Sequence, residues 1–119
     1  MLGWMLFSGT APASAHAQLL TANPKAKSTV YILPVQVKLM FSDDLIDIAG
    51  GNQIQVTDPK GKRIDSGASQ LLGNQLAISL KKSTLLGRYQ VTYRVLSEDG
   101  HPVSANYYFT LAKKPATKK

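Results

Sequence analysis

The chain has 119 residues, no cysteine and a formal charge of +7. That length suits one domain and not two, and the missing thiols exclude disulfide staples, structural zinc–thiolate, iron–sulfur and Cu(I)–thiolate sites. Four of the lysines lie in the last seven residues; subtracting them from +7 leaves +3, which is unexceptional for a soluble domain.

Residues 1–15 read as a signal peptide. Leu2-Gly3-Trp4-Met5-Leu6-Phe7 is an apolar run, Pro12 breaks it, and Ala13-Ser14-Ala15 puts small residues where a signal peptidase needs them. The run is too short to span a bilayer. No Lys or Arg precedes it, so the leader is read as truncated, with its basic start upstream. A cut after Ala15 makes His16 the first residue of an exported, periplasmic protein. A cut after Ala17 satisfies the same small-residue rule and discards His16. An uncut N-terminal stretch is the third reading.

The next stretch, Leu19 to Val30 with Asn23-Pro24 inside, predicts an extended strand leading into irregular chain. Beyond it the pattern has period two. Val35, Val37, Leu39 and Phe41 alternate with polar or flexible neighbours. So do Ile54 and Val56, then Leu76, Ile78 and Leu80, then Tyr89, Val91, Tyr93 and Val95. The last run is Val103, Ala105, Tyr107, Phe109 and Leu111. Such alternation belongs to half-buried antiparallel strands. Turn chemistry separates the runs: Asp58-Pro59-Lys60-Gly61, Gly50-Gly51, Gly73-Asn74, Gly87 and Gly100. The expectation is an all-β, two-sheet antiparallel sandwich of about seven strands, with Val37, Leu39, Val91, Tyr93 and Phe109 in the core. Residues 113–119 read as a solvated, disordered basic tail. A basic tail can also touch acidic lipid or nucleic acid, but no basic–aromatic interleaving supports nucleic-acid recognition.

The chemistry rests on the two histidines. A terminal His16 offers an amine and an imidazole nitrogen to one metal. Asp99-Gly100-His101 offers a carboxylate and a second imidazole, with Gly100 letting the chain turn. Nitrogen and oxygen donors without thiolate suit tetragonal Cu(II). The plain alternative is an ordinary β-turn carrying a solvated histidine. No nucleophile triad, phosphate loop or paired acid/base carboxylates stand out.

The run Gly87-Arg88-Tyr89-Gln90-Val91-Thr92-Tyr93-Arg94-Val95-Leu96-Ser97-Glu98-Asp99-Gly100-His101-Pro102-Val103-Ser104, ending in Tyr107-Tyr108-Phe109, resembles the C-terminal pattern of the CopC family of periplasmic copper proteins. His16-Ala17-Gln18-Leu19, Asn23-Pro24 and Val37-Lys38-Leu39-Met40-Phe41-Ser42-Asp43 resemble its front. The likeness spans residues 16–112. It implies an immunoglobulin-like, Greek-key sandwich that binds Cu(II) through His16, Asp99 and His101. Asp43 matches an acidic position near that site in some members; it is either a group beside the metal or a plain solvated carboxylate. The resemblance also implies a monomeric binding protein rather than an enzyme. Its role would be to sequester copper, confer resistance, or deliver copper to an inner-membrane transporter similar to the CopD family.

Three departures qualify the likeness. Met40 is the only methionine after the leader, so a Met-rich Cu(I) site is not expected. Tyr93 stands where many relatives have Trp, and Ala105 where Gly is common. Two other functions stay in play. A copper-dependent oxidative enzyme can also use an N-terminal histidine brace, as lytic polysaccharide monooxygenases do. In a metal-free immunoglobulin-like interaction module the histidines would be incidental.

Overall fold

Apolar residues at every second position need a second apolar surface to cover them. In the computed structural model, which describes residues 17–116, that surface is a second sheet. The strands are β1 (Leu19–Asn23), β2 (Thr29–Val30), β3 (Gln36–Phe41), β4 (Gln53–Thr57), β5 (Asp65–Leu72), β6 (Gln75–Leu80), β7 (Gly87–Leu96) and β8 (Pro102–Leu111). One sheet has the order β1-β3-β6-β5 and the other β2-β8-β7-β4. The all-β sandwich expected from the alternation is therefore present, with eight strands where about seven were expected.

Two strands go beyond the alternating runs. In β5, Asp65–Leu72, the pairing with β6 shifts register between Ser66 and Gln70, and the strand shows no buried residue. Its sequence carries no period because it has little to bury. The two-residue β2 is the one exception to antiparallel pairing, with Thr29 opposite Thr110 and Val30 opposite Leu111 in a parallel register. The chain crosses from one sheet to the other between β1 and β2 without reversing direction. Backbone bonds from Lys27 to Tyr108, Thr110 to Ser28 and Ala112 to Val30 fasten that crossing.

The core follows the predicted faces. Val37, Leu39, Phe41, Val56, Tyr89, Val91, Val95 and Phe109 are fully buried, and Tyr93 nearly so. Phe41 meets Tyr93 edge-on at 5.5 Å, and Tyr89 stacks on Phe109 at 5.4 Å. The periodicity overruns the core at two places. Val35 lies before β3 and is 78 % exposed. Ala105 is exposed, and Val103 and Tyr107 are half-buried, because the first half of β8 is only partly covered.

The Tyr89 hydroxyl donates to the Leu85 carbonyl at 2.6 Å and lies 2.7 Å from the Ser83 hydroxyl. This ties the start of β7 to the loop before it, as a tyrosine corner does in immunoglobulin-like folds. Tyr89→Phe keeps the ring stack and leaves that carbonyl without its donor. The expected cost is about 1–3 kcal/mol, read as a lower midpoint in urea unfolding with an unchanged slope.

The strand directions give the sandwich two distinct ends. One carries the loop of residues 42–52, the Gly73-Asn74 turn and the loop of residues 97–101. The other carries residues 58–64 and 81–86 and the chain leaving β8.

Candidate metal centre

The sequence-predicted Asp99 and His101 lie in the loop between β7 and β8, and the loop is anchored before it begins. Asn52 accepts the Leu96 amide at 2.9 Å through its side-chain oxygen and donates to the Ile46 carbonyl at 2.7 Å. The Ile46 amide in turn donates to the Leu96 carbonyl at 2.9 Å, and Leu45 bridges to Ser97. Ser97 then turns inward and is 1 % exposed. The Gly100 amide closes the turn onto the Ser97 carbonyl at 2.9 Å. Gly100 has φ +87°, a left-handed conformation that L side chains rarely adopt.

This turn gathers three donors on one carboxylate. The Ser97 hydroxyl donates to Asp99 Oδ1. The His101 amide donates to the same oxygen at 3.0 Å, and His101 Nδ1 lies 3.1 Å from Asp99 Oδ2. Together they hold the Asp99 carboxyl well below the usual carboxylate range, the Ser97 hydroxyl contributing most. Because the native value is depressed, the apo fold keeps this contribution above the ordinary carboxylate pKa of about 3.9. It loses the contribution only as pH falls through the native value. A proton on Nδ1 directed at Asp99 makes Nε2 the lone-pair nitrogen of His101, the arrangement common where a carboxylate orients a metal-binding imidazole.

The N-terminal side is fixed as firmly. Ala17 is 2 % exposed and belongs to the core. The Gln18 amide donates to the Ser42 hydroxyl at 2.9 Å, and the Ser42 amide donates to the Gln18 carbonyl at 2.7 Å. Ala17, Gln18 and Leu19 line one recess with Tyr93, Pro102, Val103 and Ser104. The residues bonded directly to Ala17 and Pro102 are His16 and His101. His16 itself, like residues 1–15 that read as a signal peptide, lies outside the described residues.

Asp43 is exposed and accepts from the Ser42 hydroxyl at 3.3 Å. It therefore stands beside the anchor of the N-terminal segment, at the same end of the sandwich as Asp99. Among the described residues no three His, Asp or Glu side chains gather. Asp99 and His101 form a pair of oxygen and nitrogen donors, and a metal ion held by them would need a further ligand.

Sequence reasoning missed Ser97, Asn52 and Ser42. Ser97 carries a readable signal, since a Ser two residues before an Asp in a turn has the spacing for a local hydroxyl–carboxylate bond. Asn52 acts across 44 residues and leaves no local trace. Ser97→Ala is expected to raise the Asp99 pKa toward its ordinary value and to weaken metal binding by about 10–100-fold. Carboxylate titration by NMR, beside a Cu(II) titration, checks both.

The comparisons with known proteins agree with this frame. The model of the CopC domain matches residues 19–112. The chain is 27% identical to Copper resistance protein C of Escherichia coli, over 93% of this chain and 93% of that one. It is 28% identical to the Copper transport protein CutJ of Bacillus subtilis, over 83% of this chain but only 18% of that longer protein. Among solved structures, CopC from Methylosinus trichosporium OB3b superposes with a TM-score of 0.73 at 29% identity, covering 87% of this chain and 100% of its own. PcoC, a methionine-rich copper resistance protein from Escherichia coli, gives 0.65 at 28% identity, covering 82% and 100%. With its sandwich topology and with 94 consecutive residues matched by the family model, the chain belongs to the CopC family.

Proposed function

We propose that this chain is an exported, periplasmic Cu(II)-binding protein that holds copper through a terminal His16 together with Asp99 and His101. CopC proteins bind copper and are not enzymes, which sets the oxidative-enzyme alternative aside. The observation that carries the reading is the Asp99–His101 pair, held ready at a sandwich end where Ala17 and Pro102 share one recess. In this reading His16, bonded to Ala17 in the sequence, completes the ligand set. Its amine and ring are then available to the same ion that His101 and Asp99 reach. Asp43, on the neighbouring loop, adds negative charge at that end and is assigned no direct bond to the metal.

The ligand set fixes the metal. Imidazole, amine and carboxylate donors favour Cu(II) over Zn(II). Cu(I) is disfavoured: Met40, the only methionine after the leader, lies on β3 and is 41% exposed, with no second thioether to join it. Copper held this way is either sequestered or passed to an inner-membrane transporter similar to the CopD family. The amine must lose its proton to bind. Its ordinary pKa is about 7.7–8.0, so Cu(II) affinity rises with pH through neutrality.

Competition titrations of protein beginning at His16, under oxidising and reducing conditions, test the reading. Tight Cu(II) binding with weak Cu(I) and Zn(II) binding is expected. Tight Cu(I) binding with weak Cu(II) binding contradicts it. No binding of either ion supports the metal-free interaction module instead.

A further inference from the structure

The two ends of the sandwich carry opposite charge. Five of the seven acidic residues, Asp43, Asp44, Asp47, Glu98 and Asp99, lie in the loops of the candidate metal end, and those loops contain no Lys or Arg. At the opposite end Lys81 and Lys82 follow β6, and Lys113 and Lys114 follow β8. All four are exposed. Between them stand exposed apolar side chains: Ile32 is 84 % exposed, Val35 78 %, Leu86 53 % and Tyr31 48 %. Residues 31–35, 80–84, 86 and 111–114 line this one surface, and no Asp or Glu is among those that do.

We propose that this basic, apolar end docks the domain on the surface of an anionic phospholipid bilayer, leaving the metal end pointing away from the lipid. Protruding apolar side chains flanked by cations are what an interfacial contact requires. The apolar groups enter the boundary between headgroups and acyl chains, while the amines stay at the phosphates. Lysine stems can lie along the apolar surface with their charge in water. Ile32 and Val35 border a recess at this end and are mostly exposed, so their apolar ends are open to the lipid boundary. The lysines come from two separate chain segments, after β6 and after β8, and line the same recess as the apolar side chains. The acidic opposite end is repelled by the same lipid, which fixes the orientation.

The test uses residues 16–119, which hold all the described strands and the described core, with vesicles of phosphatidylcholine containing about one third phosphatidylglycerol. Co-sedimentation is expected with these vesicles and not with pure phosphatidylcholine, and it should weaken at high salt. Changing Lys81, Lys82, Lys113 and Lys114 together to Gln should lower partitioning by about tenfold or more. Ile32→Ser with Val35→Ser should lower it by several-fold at unchanged charge. Lys38→Gln with Arg94→Gln, on the outer faces of β3 and β7, is the control and should change it little. Ile32→Trp should show a blue-shifted emission with the anionic vesicles alone. Thermal melts confirm that each variant is folded. The proposal is overturned if the protein ignores anionic vesicles, or if the control variant loses as much binding as the four-lysine variant. Unshifted Ile32→Trp emission on bound protein, or binding of an acidic amphipathic peptide without binding of vesicles, also overturns it.

Discussion

A chain beginning at His16 is expected to bind Cu(II) at least about a hundredfold more tightly than the same chain with one alanine placed before it. Loss of a group that merely orients a metal ligand costs about 10–100-fold, and under the proposed ligand set the added residue removes a ligand outright. It turns the amine into an amide, which coordinates only after losing a proton that amides hold strongly. His16→Ala keeps the amine and loses the ring, so a similar loss is expected. In the proposed site, Asp99→Asn would remove the charge that offsets the dication and His101→Ala the second imidazole, so each is expected to weaken Cu(II) binding strongly. None of these changes should unfold the apo protein. The His101 side chain is 65% exposed and the Asp99 side chain 23%, so neither carries the core. Copper titrations run beside apo melts separate loss of the site from loss of the fold.

Phe109→Ala is expected to do the reverse, costing about 3–5 kcal/mol of stability. Phe109 is fully buried in β8 and stacks on Tyr89 across the strand pair, where the two residues are directly opposed. Removing the ring leaves a cavity between two sheets that cannot close without moving Tyr89. The Tyr89 hydroxyl is already committed to the Leu85 carbonyl. Small domains have only about 5–15 kcal/mol of net stability, so the loss is a large share of the total. Urea unfolding of the apo variant measures it. At pH values and temperatures where the variant remains folded, its Cu(II) affinity should match that of the parent, because Phe109 lies far along β8 from Pro102.

Most of the fold was legible because burial on one face of a strand leaves a period-two trace. β3, β4, β6, β7 and β8 all begin and end within two residues of the alternating runs, and at β3 the pattern starts one residue early, at the exposed Val35. Backbone pairing, not hydropathy, decides strand ends, and Val35 is apolar without being covered. β5 escaped because none of its residues is fully buried and only Leu71 packs against the core, which is too little to leave a period. β2 escaped because two residues are too few to show a period. The candidate site was legible in its donors but not in its support. Asp99 and His101 sit within one turn and announce themselves by residue type. Asn52 and Ser42 hold the site through contacts across 44 and 24 residues, and no local pattern encodes such a contact.

The most direct test of the metal assignment is pulsed EPR on Cu(II)-loaded protein that begins at His16, read for nitrogen couplings. Two coordinated imidazoles are expected, one lost in His16→Ala and the other in His101→Ala. A spectrum with a single imidazole that survives His16→Ala would contradict the account.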